Sequence, residues 1–180
     1  MPITVVPTPN PDAYMFRVSE TLVASGTYEF SAGEDMQMSP LAQQLFTMED
    51  VALILITPRF ITVRKYPDSS WDSLCENIEE ILETFLQSSE MAILEAPSQH
   101  SVQERTEIEQ RILALLDEEI RPAIAQDGGD VVYHGFTDGV VRLELIGACG
   151  TCPSSTVTLK EGIQRLLIEE IPEVLAVESV

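Results

Sequence analysis

Between Gln87 and Glu104 the hydrophobic patterning of this 180-residue chain dissolves into Ser, Gln, Pro and Glu, interrupted only at Met91 to Leu94. A structureless loop of that length is uncommon inside one compact domain, so a domain boundary accounts for it better. The expected organisation is an N-terminal domain over 1–88, a flexible linker over 89–104 and a C-terminal domain over 105–180. Each core must then be small, and an apolar content of 44% suffices for both.

The charge narrows the choice of partners. There are 30 Asp and Glu against 10 Lys and Arg, a net charge of −20. Residues 1–88 carry 13 acidic and 4 basic side chains, and residues 105–180 carry 14 and 6. Both halves are acidic, so neither offers the basic footprint that a phosphate backbone or an anionic bilayer requires. The longest apolar run, Val51 to Ile56, is strand-sized and far short of the roughly 18 residues of a membrane span. Met1 to Pro11 has neither a basic n-region nor an Arg-rich amphipathic pattern, and three cysteines suit a reducing compartment. The expectation is a cytoplasmic protein.

In the N-terminal part, residues 3–6, Asp12 to Ser19 and Leu22 to Ala24 read as strand pieces, and Phe30 to Gln37 reads as loop. Ser39 before Pro40 predicts an N-cap and a short helix through Phe46. Val51 to Thr57 and Phe60 to Lys65, joined at Pro58-Arg59, predict a hairpin. A helix follows Asp68-Ser69-Ser70, with Trp71, Leu74, Ile78, Ile81, Leu82, Phe85 and Leu86 on one face. The C-terminal part restarts with a helix through Ile108, Ile112, Leu115, Leu116 and Ile120, which Pro122 must kink or restart. After the sharp turn Asp127-Gly128-Gly129-Asp130 come two strands around Asp138-Gly139, a helix from about Ser154 to Glu170, and a final strand in Val174 to Val180. The order helix, strand, strand, helix, strand makes this an α+β unit of about 75 residues, and the whole chain an α+β protein of two small domains.

Cys149 and Cys152 stand in the run G-A-C-G-T-C-P-S-S, between the second of those strands and the helix. Two turn-flanked thiols beside Gly147 and Gly150 look presented to a ligand rather than packed in a core. Cys152 precedes Pro153 and so falls at the helix N-terminus, where the dipole favours thiolate. The only other cysteine, Cys75, lies within a helix pattern and reads as structural. A closed tetrahedral thiolate site needs four sulfurs, so this pair is half a site. Three chemistries compete for it. One is a dithiol–disulfide oxidoreductase, although the domain has too few elements for a thioredoxin sheet. Another is a zinc half-site closed by dimerisation, for which His100 and His134 are weak completing ligands. The third is an iron–sulfur cluster shared by two chains, each giving two thiolates, placed where ligand exchange can release it. No acid–base constellation stands out, so no enzyme is expected.

The stretch L-D-E-E-I-R-P-A-I-A-Q-D-G-G-D from Leu116, then G-F-T-D-G-V-V and G-A-C-G-T-C-P-S-S-T-V-T-L-K-E-G-I, closely resembles the C-terminal domain of NifU/Nfu proteins. T-P-N-P-D-A at Thr8 to Ala13, S-P-L-A-Q-Q-L-F at Ser39 to Phe46, F-I-T-V-R-K at Phe60 to Lys65 and Trp71 resemble the companion Nfu N-terminal domain. The chain departs from the family pattern at Tyr14-Met15, which alters a contact surface of that domain. The resemblance implies a carrier or scaffold that binds a [4Fe–4S] cluster between two chains of a homodimer through Cys149 and Cys152. It further implies transfer of that cluster to apo iron–sulfur client proteins, receipt from an upstream assembly scaffold, and a recognition role for the N-terminal domain. Nucleic acid and membrane are not implied. A bacterial cytoplasmic protein fits the lack of a leader, with the mitochondrial matrix the place for a processed eukaryotic form.

Overall fold

The computed structural model describes residues 3–88, 91–94, 106–150 and 153–180, without the side chains of 153–156. The chain divides into two compact units, Met1–Ser98 and Gln99–Val180, each with its own sheet and core. Strands and helices are mixed in both, so the α+β class holds.

In the first unit, β1 (Thr4–Pro7), β2 (Ala13–Arg17), β3 (Tyr28–Ser31), β4 (Val51–Ile56) and β5 (Phe60–Lys65) form one antiparallel sheet in the order β1-β2-β5-β4-β3. β4 is apolar throughout and buried throughout, as a strand covered on both faces should be. β4 and β5 make the expected hairpin, with Ile56 opposite Ile61. α1 (Pro40–Leu45) begins as the sequence predicts: the Ser39 hydroxyl accepts from the Ala42 N–H at 3.1 Å, satisfying one of the helix's unpaired donors. α2 (Trp71–Ser88) buries Leu74, Ile78, Leu82 and Phe85, at the three- and four-residue spacing that keeps them on one face.

Three expectations for this unit are corrected. Leu22 to Ala24 is no strand: Leu22 and Val23 fill the core from a bend, and the Leu22 N–H donates to the Pro58 carbonyl at 3.1 Å. The region read as loop from Phe30 overlaps β3, which pairs with β4 from Tyr28 to Ser31. Only Phe30 is buried in that strand, too little alternation to announce it. Finally, Met91–Leu94 belongs to this unit rather than to a linker. Ala92 and Ile93 are buried in its core. The buried Ser39 hydroxyl donates to the Ala92 carbonyl at 2.8 Å, and the Leu94 N–H donates to the Met38 carbonyl at 2.7 Å. Residues 89, 90 and 95–104 of the expected linker lie outside the described residues.

The second unit has the expected order. α3 (Glu107–Leu115) opens with a capping box in which Thr106 and Glu109 satisfy each other's backbone N–H groups. Pro122 lacks an N–H and its ring would press on the carbonyl one turn back. The helix answers by widening just before it into a π turn, Leu116–Ile120, where the Arg121 N–H reaches the Leu116 carbonyl. α4 (Arg121–Gln126) then resumes and ends at Gly128, whose φ of +75° is the left-handed helix stop that favours glycine. β6 (Gly129–Thr137) and β7 (Val140–Gly147) turn at Asp138-Gly139, with φ of +52° and +80°, the tight hairpin that Asp-Gly predicts. α5 (Pro153–Glu170) crosses over to β8 (Ala176–Ser179), which lies parallel to β7 in the sheet β6-β7-β8.

Candidate functional site

The cysteine loop hangs between the end of β7 and the start of α5. Gly147 closes the ladder opposite Gly129, and its φ of +75° turns the chain away from the sheet. The Ala148 N–H then donates to the Gly128 carbonyl at 3.3 Å, so the loop rests on the turn that ends α4. Gly150 passes so close to the Leu145 carbonyl that any side chain there would collide with backbone. Two glycines of this short segment are therefore needed, Gly147 for a left-handed φ and Gly150 for close approach.

Cys149 is not presented, contrary to the reading of its glycine flanks. It is 1% exposed and packs into the core of the second unit, whose members include Ile112, Leu116, Ile120 and Val131. Gly129 makes the room. A Cβ on it would lie 2.7 Å from the Cys149 Sγ and 2.8 Å from the Ile146 carbonyl, both prohibitive distances. In the turn Asp127-Gly128-Gly129-Asp130 one glycine stops the helix and the next admits the thiol. The doubled glycine was the sequence signal for this contact, since a helix stop needs only one. Cys152 and Thr151 lie outside the described residues, so the placement of Cys152 at the N-terminus of α5 stays an expectation.

The turn is clamped from its far side. Asp130, 7% exposed, accepts from the Val131 N–H at 2.7 Å and from Arg121 at 2.8 and 2.9 Å. Arg121 also lies 2.8 Å from Asp117, one helical turn back. Asp130 is held at once by a guanidinium and a backbone N–H, and Arg121 bridges it to Asp117. The residues around Cys149 are thus fixed by polar contacts below and apolar packing beside it.

Among the described residues no three His, Cys, Asp or Glu side chains form a group able to hold a metal ion. His134 sits on a bulge in β6, half-exposed, with its Nε2 2.8 Å from Glu144. That is the surface role its position suggested; His100 lies outside the described residues. Cys75 is partly buried on α2, where burial first and the Glu79 carboxylate second push its thiol pKa up. A raised pKa is the opposite of what a reactive thiolate needs, which agrees with a structural assignment.

The residues that carried the resemblance of the N-terminal part serve local structure. The Thr8 hydroxyl donates to the Ala13 carbonyl at 2.7 Å, and the Asn10 side chain accepts from the Asp12 N–H at 3.0 Å. Asp12 pairs with the buried Lys65 at 2.7 Å. Trp71 donates its indole N–H to the Pro11 carbonyl at 3.1 Å and stacks on Tyr14, ring centroids 4.2 Å apart and 7° from parallel. Tyr14 is therefore engaged by α2. No helix among the described residues is long and apolar enough to cross a membrane.

Comparison with known proteins places both units. Residues 3–89 match the family described as scaffold protein Nfu/NifU N terminal, and residues 112–178 match the NifU-like domain. The "NFU1 iron-sulfur cluster scaffold homolog, mitochondrial" of Homo sapiens is 41% identical over 176 residues, covering 96% of this chain and 69% of the relative. Its Drosophila virilis namesake is 37% identical over 177 residues, covering 96% of this chain and 59% of that one. The chain thus spans between three fifths and seven tenths of these relatives' length. A NifU-like protein from Saccharomyces cerevisiae, solved by solution NMR, superposes with a TM-score of 0.50 at 26% identity, over 53% of this chain and 87% of that one. With both family domains in order and this identity over nearly its whole length, the chain belongs to the Nfu/NifU family.

Proposed function

We propose that this chain is an iron–sulfur cluster scaffold that carries a [4Fe–4S] cluster between two copies of itself and passes it to apo-proteins. The observation that carries the reading is the C-x-x-C loop, set between β7 and α5 of a unit that matches the NifU-like domain. Its named relatives are iron–sulfur cluster scaffold homologs. Cys149 and Cys152 supply two thiolates, and a second chain supplies the other two.

The cluster is cargo. A core held by four thiolates carries roughly −2 charge, and backbone N–H groups near Gly147, Gly150 and the start of α5 offset part of it. A client thiolate displaces one ligand at a time, so transfer is ligand exchange and the chain acts as a carrier rather than a catalyst. Residues 105–180 form the cluster-binding part, and the first unit, which includes Met91–Leu94, recognises clients or the upstream scaffold. The mitochondrial names of the relatives favour the matrix for any eukaryotic form.

Anaerobic reconstitution with iron and sulfide tests the reading, with visible absorption and native mass recorded together. Four irons per two chains are expected, with the colour and the dimer both lost in Cys149→Ala. A colourless monomer after reconstitution of the unmutated chain would refute it.

A further inference from the structure

The segment Met91–Leu94 buries only its middle. Ala92 and Ile93 turn into the core of the first unit, while Met91 and Leu94 on either side of them are left 60% and 64% exposed. Leu94 also lines an open cleft of about 430 Å³, together with Asp35, Gln37 and Met38. That volume falls at the small end for ligand clefts, roughly 300 to 1,000 Å³. Hydrogen bonds set the shape of the cleft before anything enters it. The Leu94 N–H donates to the Met38 carbonyl at 2.7 Å, and the Ser39 N–H donates to the Met36 carbonyl at 2.9 Å. The Gln43 side chain donates to that Met36 carbonyl at 2.9 Å, and the Gln37 N–H donates to the Asp35 carboxylate at 3.0 Å. Walls tied in this way lose little freedom when a ligand binds, which favours association.

The segments that supply these walls carry one sign of charge. No Lys or Arg occurs between Arg17 and Arg59 or between Lys65 and Arg105, whereas six Asp and Glu fall in the first interval and nine in the second. A small molecule seated in the cleft would leave the exposed Met91 uncovered, whereas a length of polypeptide can cover the cleft and the segment beside it. We infer that this cleft docks a short amphipathic segment of a partner protein, with its apolar side on Met38 and Leu94 and its flanking Lys or Arg beside Asp35. Burial of apolar side chains supplies the affinity, and the uniform negative charge rejects segments with acidic flanks. Methionine is unbranched and adapts its shape to what it meets, so Met38 suits a surface that accepts more than one sequence.

This inference rests on the first unit being the recognition part of the carrier, and its test uses no iron, so the two can fail separately. The probe is a fluorescein-labelled synthetic peptide of Leu and Lys, its leucines at three- and four-residue spacing, titrated with the full chain and followed by anisotropy. Saturable binding is expected, at least about tenfold weaker for a peptide with serine in place of leucine. Leu94→Arg, which puts a cation where an apolar contact was, should also weaken binding at least about tenfold. Asp35→Asn should weaken it about two- to threefold, the size of one exposed charge pair. Leu94 is tied through its backbone N–H, which the substitution keeps, and circular dichroism checks the fold. Should Leu94→Arg not fold, Leu94→Ser decides in its place, with a loss of at least about threefold expected. No binding by the unmutated chain would overturn docking. Equal binding of the serine peptide, or unchanged affinity in the folded Leu94 variant, would overturn it too, since attraction to the acidic surface as a whole would then suffice. Failed cluster reconstitution beside peptide binding at the cleft would sink the carrier reading and leave the docking surface standing.

Discussion

The two units spend their polar and glycine residues in opposite ways. In the first, the distinctive motif is inward-looking: Thr8, Asn10, Asp12, Lys65 and Trp71 bond to one another's backbone and side chains and fasten β2, β5 and α2 together. In the second, the distinctive motif is a set of glycines around a thiol, with Gly128, Gly129, Gly147 and Gly150 each placed where a side chain would strain or collide. The first unit's motif is therefore a set of directional bonds, and the second unit's a set of close approaches and left-handed turns that glycine permits.

The comparison can be broken by substitutions ranked by expected effect. Leu82→Ala, at a fully buried position of α2, should destabilise the first unit by about 3 kcal/mol, the cost of lost burial plus a cavity. Unfolding in urea should then separate into two transitions, while iron bound per chain by the native protein stays unchanged. A single transition shifted as a whole would show that the units share their stability. Trp71→Ala removes the stack on Tyr14 and the bond to the Pro11 carbonyl, and should cost about 2 kcal/mol in that same first transition. If the second transition moved instead, the Tyr14–Trp71 stack would not belong to the first unit's stability.

The smallest effect concerns Cys75. Its thiol pKa is raised in the fold, so the fold favours the protonated form. That contribution is fully present below the ordinary thiol range and is lost as pH rises through the raised value. The urea midpoint of the first transition should therefore decline slightly more between pH 8 and pH 10 (about two units bracketing thiol titration) than in Cys75→Ser. Parallel pH profiles for the two chains would show that Cys75 contributes nothing there.

Where the sequence was legible, one dominant force set the outcome. The α2 face and the unbroken apolar run of β4 were readable because burial alone dictates them, and the β6–β7 hairpin because Asp138-Gly139 admits few other turns. Where it was not, a contact distant in sequence decided. β3 exists because β4 offers it an edge, and Ala92 and Ile93 are fixed by Ser39, fifty-three residues away from Ala92. At the candidate site, spacing identified the thiol pair and the helix that follows it. The depth of Cys149 depends on Gly129, twenty positions earlier, and no local pattern around the cysteine reports it.

The contact between Gly129 and Cys149 also constrains how such a chain can change over generations. The side chain at 149 is a piece of interior packing, so serine there would bring a hydroxyl into an apolar core and alanine would leave a hole. Conversely, the glycine at 129 is required by its neighbour as much as by the backbone. Gly129 would stay required whatever stood at 149, because a Cβ there would still lie 2.8 Å from the Ile146 carbonyl.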